Sequence, residues 1–309
     1  MAPLLCLFVL AVRLSAAEPA KIVLVAGNPS HGPGQHEFNA GILLLEKCLR
    51  QNKDVEPVIV KGGWPESESV FDGARALVFY LDGGARHPMI QNNRLQTIGA
   101  LMKKGVGLVC LHYAVEVPKE NGGPELLEWI GGYYERPYST NPHNDVAVTR
   151  ASPSHPISRG WNSFQGNDEW YYRIRFRPDD KQVIPILTTM LPKENPSKET
   201  IAWAVERADG GRGFGFTGGH FHHNWGIEQQ RRMVLNAILW TAKVEVPRNG
   251  AKCEIAAHDL KLNLDEKPPK RARLGNCRAC NGRRFRAATV RERMPIFSHL
   301  PQGAVTNNP

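Results

Sequence analysis

Three histidines within four positions mark the segment of this sequence that is best equipped for chemistry. His220, His222 and His223 lie between an apolar run beginning near Gly213 and the segment Ile227–Lys243, whose apolar residues recur at helical spacing. Imidazoles bind metal ions and transfer protons near neutral pH, and glycines at such a turn let backbone approach a ligand closely. The simpler alternative is that these histidines are exposed and have no chemical role.

Further imidazoles and carboxylates follow other apolar runs. His31, His36 and Glu37 follow the first run, Asp82 the third and His112 the fourth. Because open α/β sheets place their chemistry at the carboxyl ends of strands, these side chains are expected at one edge. Imidazoles with a carboxylate predict a site for zinc or a similar divalent ion, or equally a proton-transfer centre.

The elements that must carry these residues alternate between strands and helices. Short runs of branched apolar residues bounded by glycines predict buried parallel strands, and the segments after the first and third runs have helical periodicity. The predicted strands are 21–26, 55–60, 76–81 and 106–111, with less regular ones at 144–149, 182–188 and 200–206. This alternation predicts an α/β fold with a mostly parallel sheet and right-handed crossovers.

Two acids beside three aromatic residues stand out in the less regular region. Asp168 and Glu169 precede Trp170, Tyr171 and Tyr172. Carboxylates bind sugar hydroxyls and aromatic rings cover sugar C–H faces, so the run suits carbohydrate recognition. It suits the edge of a hydrophobic core equally well.

Composition places the chain among ordinary soluble proteins, with 309 residues, 41% hydrophobic and 22% charged. The formal charge of +9 is concentrated near the C-terminus, where residues 248–309 hold 13 Lys/Arg against 5 Asp/Glu. The remainder is nearly neutral and has no general attraction for nucleic acid.

The N-terminal residues 1–17 resemble a secretory signal peptide, with an apolar run followed by small residues before Glu18. The expected location is secreted or periplasmic; the alternative is a misassigned start. No later apolar segment is long enough to span a bilayer, so no membrane association is expected after cleavage.

Residues 247–309 form a basic segment with too few apolar residues to build a core, which predicts a disordered tail or a readthrough extension. An RNA-binding arm is a sharper alternative, but the segment holds few aromatic residues for base stacking. Cys277 and Cys280 have the spacing of half a zinc site, without a second pair.

A set of short motifs in fixed order resembles the ThuA (trehalose utilisation) family over residues 21–246. The motifs are His31-x-x-x-x-His36-Glu37-Phe38, Gly83-Gly84, Gly107-Leu-Val-Cys-Leu-His112, His155-Pro-Ile157, Asp168-Glu-Trp-Tyr171, Gly219-His220, Asn224-Trp225 and Leu235-Asn-Ala-Ile-Leu-Trp240. The resemblance implies a flavodoxin-like three-layer sandwich of the class I glutamine amidotransferase type. It also implies a role in carbohydrate use, on trehalose-like or 3-keto disaccharides made by a partner sugar dehydrogenase.

The sequence departs from the amidotransferases at the turn where those enzymes carry a nucleophilic cysteine between glycines. His112 occupies this turn, whereas Cys110 lies earlier, inside the predicted strand and without flanking glycines. Glutaminase activity is therefore not expected.

The working hypothesis is a hydrolase or lyase that cleaves or isomerises a 3-keto glycoside by histidine- and metal-assisted acid–base chemistry. Candidate catalytic residues are His112, His220, Glu37, Asp82 and Glu116, and candidate metal ligands are His31, His36 and His220. Candidate substrate contacts are Asp168, Glu169, Trp170, Gly219, Asn224 and Trp225. The alternative is a carbohydrate-binding module with the same fold and no catalysis.

Overall fold

The computed structural model describes residues 18–178 and 182–267, which contain eleven strands and four α-helices. The strands are β1 (Ala20–Ala26), β2 (Val55–Val60), β3 (Ala76–Tyr80), β4 (Gly107–Leu111), β5 (Gly132–Tyr133), β6 (His143–Arg150), β7 (Phe164–Glu169), β8 (Arg175–Phe176), β9 (Ile184–Leu191), β10 (Ser197–Glu206) and β11 (Arg212–Phe216). The helices are α1 (Phe38–Leu49), α2 (Arg94–Lys103), α3 (Gly123–Trp129) and α4 (Glu228–Thr241).

A nine-stranded sheet in the order β2-β1-β3-β4-β11-β10-β9-β6-β7 forms the centre of the fold. The pairs from β2 to β11 are all parallel. This part has the strand order of flavodoxin-like sheets, in which successive strands are added on one side of β1 up to β2 and on the other side from β3 onward. The prediction of an α/β fold is confirmed, and the predicted first four strands match the observed ones to within a residue.

Helices cover both faces of the parallel part. The apolar sides of α1 and α4 share one core with β1, β3 and β11. On the opposite face, α2 and α3 pack with the alternate residues of the same strands. The central strands are buried on both faces, which is why they are nearly continuous apolar runs in the sequence.

The second half of the sheet is antiparallel. β10 pairs with both β11 and β9, and β6 joins β9 to the edge strand β7. The pairing of β10 with β9 is irregular near Thr200 and Ala202, as at a β-bulge. The sequence predicted strands here, but it did not predict that they extend the parallel sheet.

Residues 248–267 pack against the domain, which differs from the expectation of a disordered tail beginning at 247. Ala251 and Cys253 are buried, and the backbone on either side bonds to Gln51 and Asn52 of the turn after α1. Composition did not predict this packing, in which buried apolar side chains of the segment and side-chain amides of a distant element both take part. The rest of the predicted tail, with Cys277 and Cys280, and the predicted signal peptide lie outside the described residues.

No helix in the described ranges is long and apolar enough to cross a bilayer.

Gly213 at the start of β11 tests how closely the sheet packs on the segment after α3. A methyl group on Gly213 would lie 2.2 Å from the carbonyl oxygen of Trp129 and 2.7 Å from Cα of Ile130. Both are backbone atoms that cannot rotate away, so Gly213→Ala should lower the free energy of unfolding by about 1–3 kcal/mol. Urea denaturation measures this change.

Gly99→Ala is the matched control, because Gly99 lies inside α2 and its nearest neighbour to an added methyl is 3.5 Å away. This substitution should stabilise the protein by about 0.5–1 kcal/mol through helix propensity. Equal effects of the two substitutions would contradict the described packing.

Candidate metal centre

The loops after three parallel strands and the end of one antiparallel strand meet at one edge of the sheet. His36 lies in the loop after β1, His112 directly follows β4, and His220 follows β11. Glu169 is the last residue of β7. These four residues are called the histidine cluster below.

The donor atoms of the histidine cluster are in mutual contact. Nε2 of His36 is 2.9 Å from Nδ1 of His220 and 3.0 Å from Nε2 of His112. The latter two nitrogens are 3.3 Å apart. Oε2 of Glu169 lies 3.1 Å from the His220 nitrogen and 3.5 Å from the His112 nitrogen. All four atoms fall within 4.8 Å of one another.

Backbone strain accompanies this arrangement. His31, His36 and His112 have φ values of 63°, 47° and 53°, in the left-handed region that residues other than glycine seldom occupy. Such conformations cost on the order of 1–3 kcal/mol each and persist only where the surroundings impose them. The loops are therefore held in positions that a relaxed turn would not adopt.

Hydrogen bonding determines which nitrogen of the His112 ring carries the proton and which one points into the cluster. Nδ1 of His112 is 2.7 Å from the carbonyl oxygen of Thr217, which can only accept, so this nitrogen carries the proton. Nε2 of the neutral ring then presents a lone pair to His36 and His220. A proton can be shared by only two of the three ring nitrogens at a time, whereas a single metal cation can accept a lone pair from all three.

The residues present fit a divalent metal ion. Three imidazole nitrogens and one carboxylate oxygen form a donor set typical of zinc sites, in which tetrahedral ligands with bonds of about 2.0–2.2 Å are about 3.3 Å apart. Five of the six separations are 2.9–3.5 Å, close to this value, and the sixth, between His36 and Glu169, is within 4.8 Å. The cluster could thus hold a metal ion with little movement.

Electrostatics favour the unprotonated form of two cluster imidazoles, His36 and His220. Burial lowers the pKa of His36 far below its usual range, and the nearby His112 and His31 lower it further. Burial also lowers the pKa of His220, although Glu169 opposes this. Burial alone would raise the pKa of Glu169, but its contacts with the His112 and His220 rings outweigh burial and lower the pKa. Neutral imidazoles and an ionised carboxylate are the protonation states that bind metals.

Asp168 organises the loop that carries His220. Its buried carboxylate accepts hydrogen bonds from the backbone N–H groups of Gly219, His220 and Phe221, at 2.7, 3.0 and 3.3 Å. It also accepts the N–H of Glu169 at 2.9 Å. One side chain therefore fixes two members of the cluster through their backbones.

Several polar rings surround the cluster toward solvent. The exposed His31 ring stacks on that of His36 with centroids 3.7 Å apart, and its Nδ1 lies 3.2 Å from Oγ of Ser30. The structure therefore leaves His31, a predicted ligand, outside the four-donor group. Tyr113 contacts the His36 ring, and the exposed His143 lies 3.6 Å from Oε1 of Glu169.

The predicted catalytic carboxylates lie around the cluster rather than in it. Glu37 is buried and ion-paired with Lys267 at 3.2 Å. Glu116 is paired with Arg136 at 2.7 Å, and burial raises its pKa although Arg136 opposes this. Burial likewise raises the pKa of Asp82.

Most of the predicted substrate contacts serve packing and loop structure. Trp170 and Trp225 are fully buried. The carbonyl of Gly219 accepts a hydrogen bond from the Tyr80 hydroxyl, and the Asn224 amide donates to the carbonyl of Asn167 at 2.8 Å.

Glu169 is the predicted substrate contact whose side chain faces the imidazoles. Its place among the possible metal donors was missed from sequence. The contacts of Thr217 and of Tyr171, whose hydroxyl is 3.4 Å from Nε2 of His112, were missed as well. The available signal was the pair Asp168-Glu169 at the end of a strand, where successive side chains point to opposite sides.

Cys110 lies inside β4 and is fully buried, and this burial raises the pKa of its thiol. The left-handed position after the strand belongs to His112. The cysteine is therefore poorly suited to form a thiolate.

Comparison with known proteins agrees with this architecture. The family model ThuA, described as trehalose utilisation, matches residues 22–241. The chain belongs to the ThuA family. No curated protein sequence matches it.

Solved structures of ThuA-like proteins resemble it at low sequence identity. One from Parabacteroides merdae has a TM-score of 0.53 and 16% identity, covering 79% of this chain and 99% of its own. One from Bacteroides uniformis has a TM-score of 0.54 and 15% identity, and the match covers 75% of this chain and 95% of the other. A glutamine amidotransferase from Thermotoga maritima has a TM-score of 0.44 and 10% identity, covering 74% and 97%.

Asp168→Asn tests the dependence of the cluster on its buried carboxylate. The amide replaces one acceptor oxygen with a donor that faces backbone N–H groups, so the free energy of unfolding should fall by about 2–3 kcal/mol. Asp145→Asn is the control, since Asp145 is exposed on the neighbouring β6 and bonds to Gln165 alone among the contacts described. Chemical denaturation compares the two, and equal stabilities would contradict the assigned role.

Proposed function

We propose that this ThuA family member cleaves or isomerises an oxidised (3-keto) glycoside by acid–base chemistry at a divalent metal centre formed by the histidine cluster. The observation that carries the proposal is the convergence of three imidazole nitrogens and one carboxylate oxygen at the carboxyl edge of the sheet. The family description of trehalose utilisation supports a carbohydrate substrate.

The chemistry of a 3-keto sugar matches these groups. The ketone acidifies the hydrogen on C2; removal of this proton forms the C1=C2 bond as the C1–O bond breaks, and the departing glycosidic oxygen takes up a proton. Addition of water to the double bond completes cleavage. A divalent metal supplies a Lewis acid for a carbonyl oxygen when bound.

Residues of the chain would hold the substrate and move its protons. His36, His112, His220 and Glu169 would hold the metal. His31 lies beside them with much of its side chain exposed. The buried part of its ring is the main cause, and the nearby His220 the second, of a pKa lowered to about 4. It is therefore unprotonated at neutral pH and is our candidate acceptor of the C2 proton.

Glu116 is our candidate donor of the proton to the departing oxygen. Its raised pKa favours the protonated form relative to an exposed carboxyl. It lies near Tyr113, since a methyl group on Gly84 would contact both Oε1 of Glu116 and the hydroxyl of Tyr113. Tyr113 in turn contacts the His36 ring.

The partner and location proposals rest on sequence. A sugar dehydrogenase would supply the oxidised substrate. Residues 1–17 would direct export to the periplasm or the cell exterior.

Metal content tests the centre directly. Purified protein should bind about one divalent ion per chain, and His112→Ala or His220→Ala should weaken binding at least 10-fold because each removes one donor. His223→Ala is the matched control, since His223 is exposed on the same loop and is not in the cluster. Elemental analysis and competition with a chelator measure both. Equal metal content in all four proteins would reject the centre.

Turnover of 3-ketotrehalose tests the reaction. Glucose should be released, and His31→Gln should lower kcat/KM by about 10²–10⁴-fold with the metal content retained, because it removes a proton acceptor. Removal of metal should abolish turnover and readdition should restore it. Sugar binding without turnover, unchanged in His112→Ala and after chelation, would instead support the carbohydrate-binding module.

A further inference from the structure

A segment beyond the family match contacts the loop that carries one cluster histidine. The match ends at residue 241, and residues 248–267, called the C-terminal strap below, return along α1 toward the cluster. The amides of Gln51 and Asn52 each exchange two hydrogen bonds with the strap backbone, at Glu254 and Lys252, with lengths of 2.7–3.0 Å. Two side-chain amides thus hold the strap backbone at alternate residues.

Two charged contacts fix its course. Lys47 of α1 pairs with the buried Asp259 at 2.6 Å. Arg231 of α4, itself buried, donates to the carbonyl of Cys253 at 2.8 Å. The strap therefore bridges the two helices on one face of the sheet before it reaches the β1 loop.

The last described residue of the strap, Lys267, forms a buried ion pair with Glu37, the residue after His36. The side chain of Lys267 is 3% exposed and lies 3.2 Å from Oε1 of Glu37, which is 1% exposed. The same carboxylate accepts the N–H groups of Gly34 and Asp265, at 2.7 and 2.8 Å. Glu37 therefore links Gly34 of the loop to Asp265 and Lys267 of the strap.

Lys267 also bonds to the backbone of the cluster loop. Its ammonium donates to the carbonyl of Gln35 and, at 3.1 Å, to that of His36. These carbonyls belong to the peptides on either side of His36, whose φ of 47° directs its ring toward His112 and His220. An uncompensated left-handed residue would relax, so contacts on both peptides restrain it.

We infer that Lys267 is a positioning residue, which holds the backbone of His36 in the conformation that the metal centre requires. The importance of this residue for activity rests on the proposed metal function, but its restraint on the loop exists with or without metal. It makes the C-terminal strap part of the site, although none of its side chains belongs to the cluster.

Lys267→Met in the full-length chain tests this role, with the exposed Lys261→Met on the same strap as matched control. Co²⁺ serves as the probe, because its visible absorption reports ligand geometry. Lys267→Met should weaken Co²⁺ binding about 10–100-fold, as loss of supporting contacts does at metal sites, and alter the absorption band. Lys261→Met should match the wild type in both.

Amide hydrogen exchange of a peptide spanning residues 34–38, measured without metal, separates this inference from the proposed function. Lys267→Met should exchange faster there, whereas Lys261→Met should not. The double variant Glu37→Gln/Lys267→Met should recover part of the protection, because it removes the nearer of the two carboxylates that pair with Lys267, while the new amide oxygen can still accept an N–H group. If the wild type binds no Co²⁺, the metal proposal fails while this comparison still tests the strap. Unchanged exchange in Lys267→Met would overturn the inference.

Discussion

Three imidazole nitrogens in contact cannot all be protonated, and the rest of the site follows from this constraint. Protonation of all three rings would place like charges about 3 Å apart in a buried setting. Burial and the neighbouring imidazoles hold the pKa of His36 far below its usual range, and the nitrogens of the three rings face one another. Their lone pairs then repel one another unless shared protons or a cation lie between them. The sheet, the loops and the strap are required to hold these rings together against that repulsion.

The forces that hold the rings come from backbone hydrogen bonds to buried charges. Asp168 accepts hydrogen bonds from N–H groups of the loop after β11, and Lys267 donates hydrogen bonds to carbonyl groups of the loop after β1. Charged groups suit this task, because hydrogen bonds to ions are roughly twice as strong as neutral ones. One anion and one cation, each outside the set of donors, thus organise opposite sides of the centre.

The sequence predicts the parallel part of the fold well, because strands buried on both faces leave uninterrupted apolar runs. It also places His36, His112 and His220 at one edge, since strand ends are readable from the same pattern. Spacing alone did not distinguish His220 from His222 and His223, and the Gly219-His220 motif was the signal that singled it out. The backbone of His220 is held by Asp168, about 50 positions earlier in the chain, a contact that the sequence did not predict. Glu169 and Lys267 were missed as contributors to the centre for the same reason: their roles arise from contacts between distant segments. The disordered tail predicted from 247 illustrates the limit of composition, since a few apolar side chains such as Ala251 and Cys253 join the core of the preceding domain and side-chain amides hold the backbone beside them.

The antiparallel half of the sheet has a geometric consequence. In the strand order, β7 is four positions from β11, which in a flat sheet would separate them by about 19 Å. Yet the side chain of Asp168 on β7 touches the loop after β11. The intervening strands must therefore curl back on themselves, and the irregularity between β9 and β10 is the kind of feature that bends a sheet. Curvature thus sets the spacing between β7 and the loops after β1 and β4. A change in the pairing of β9 with β10 would move Asp168 and Glu169 together, and with them the loop that carries His220, while leaving His36 and His112 in place.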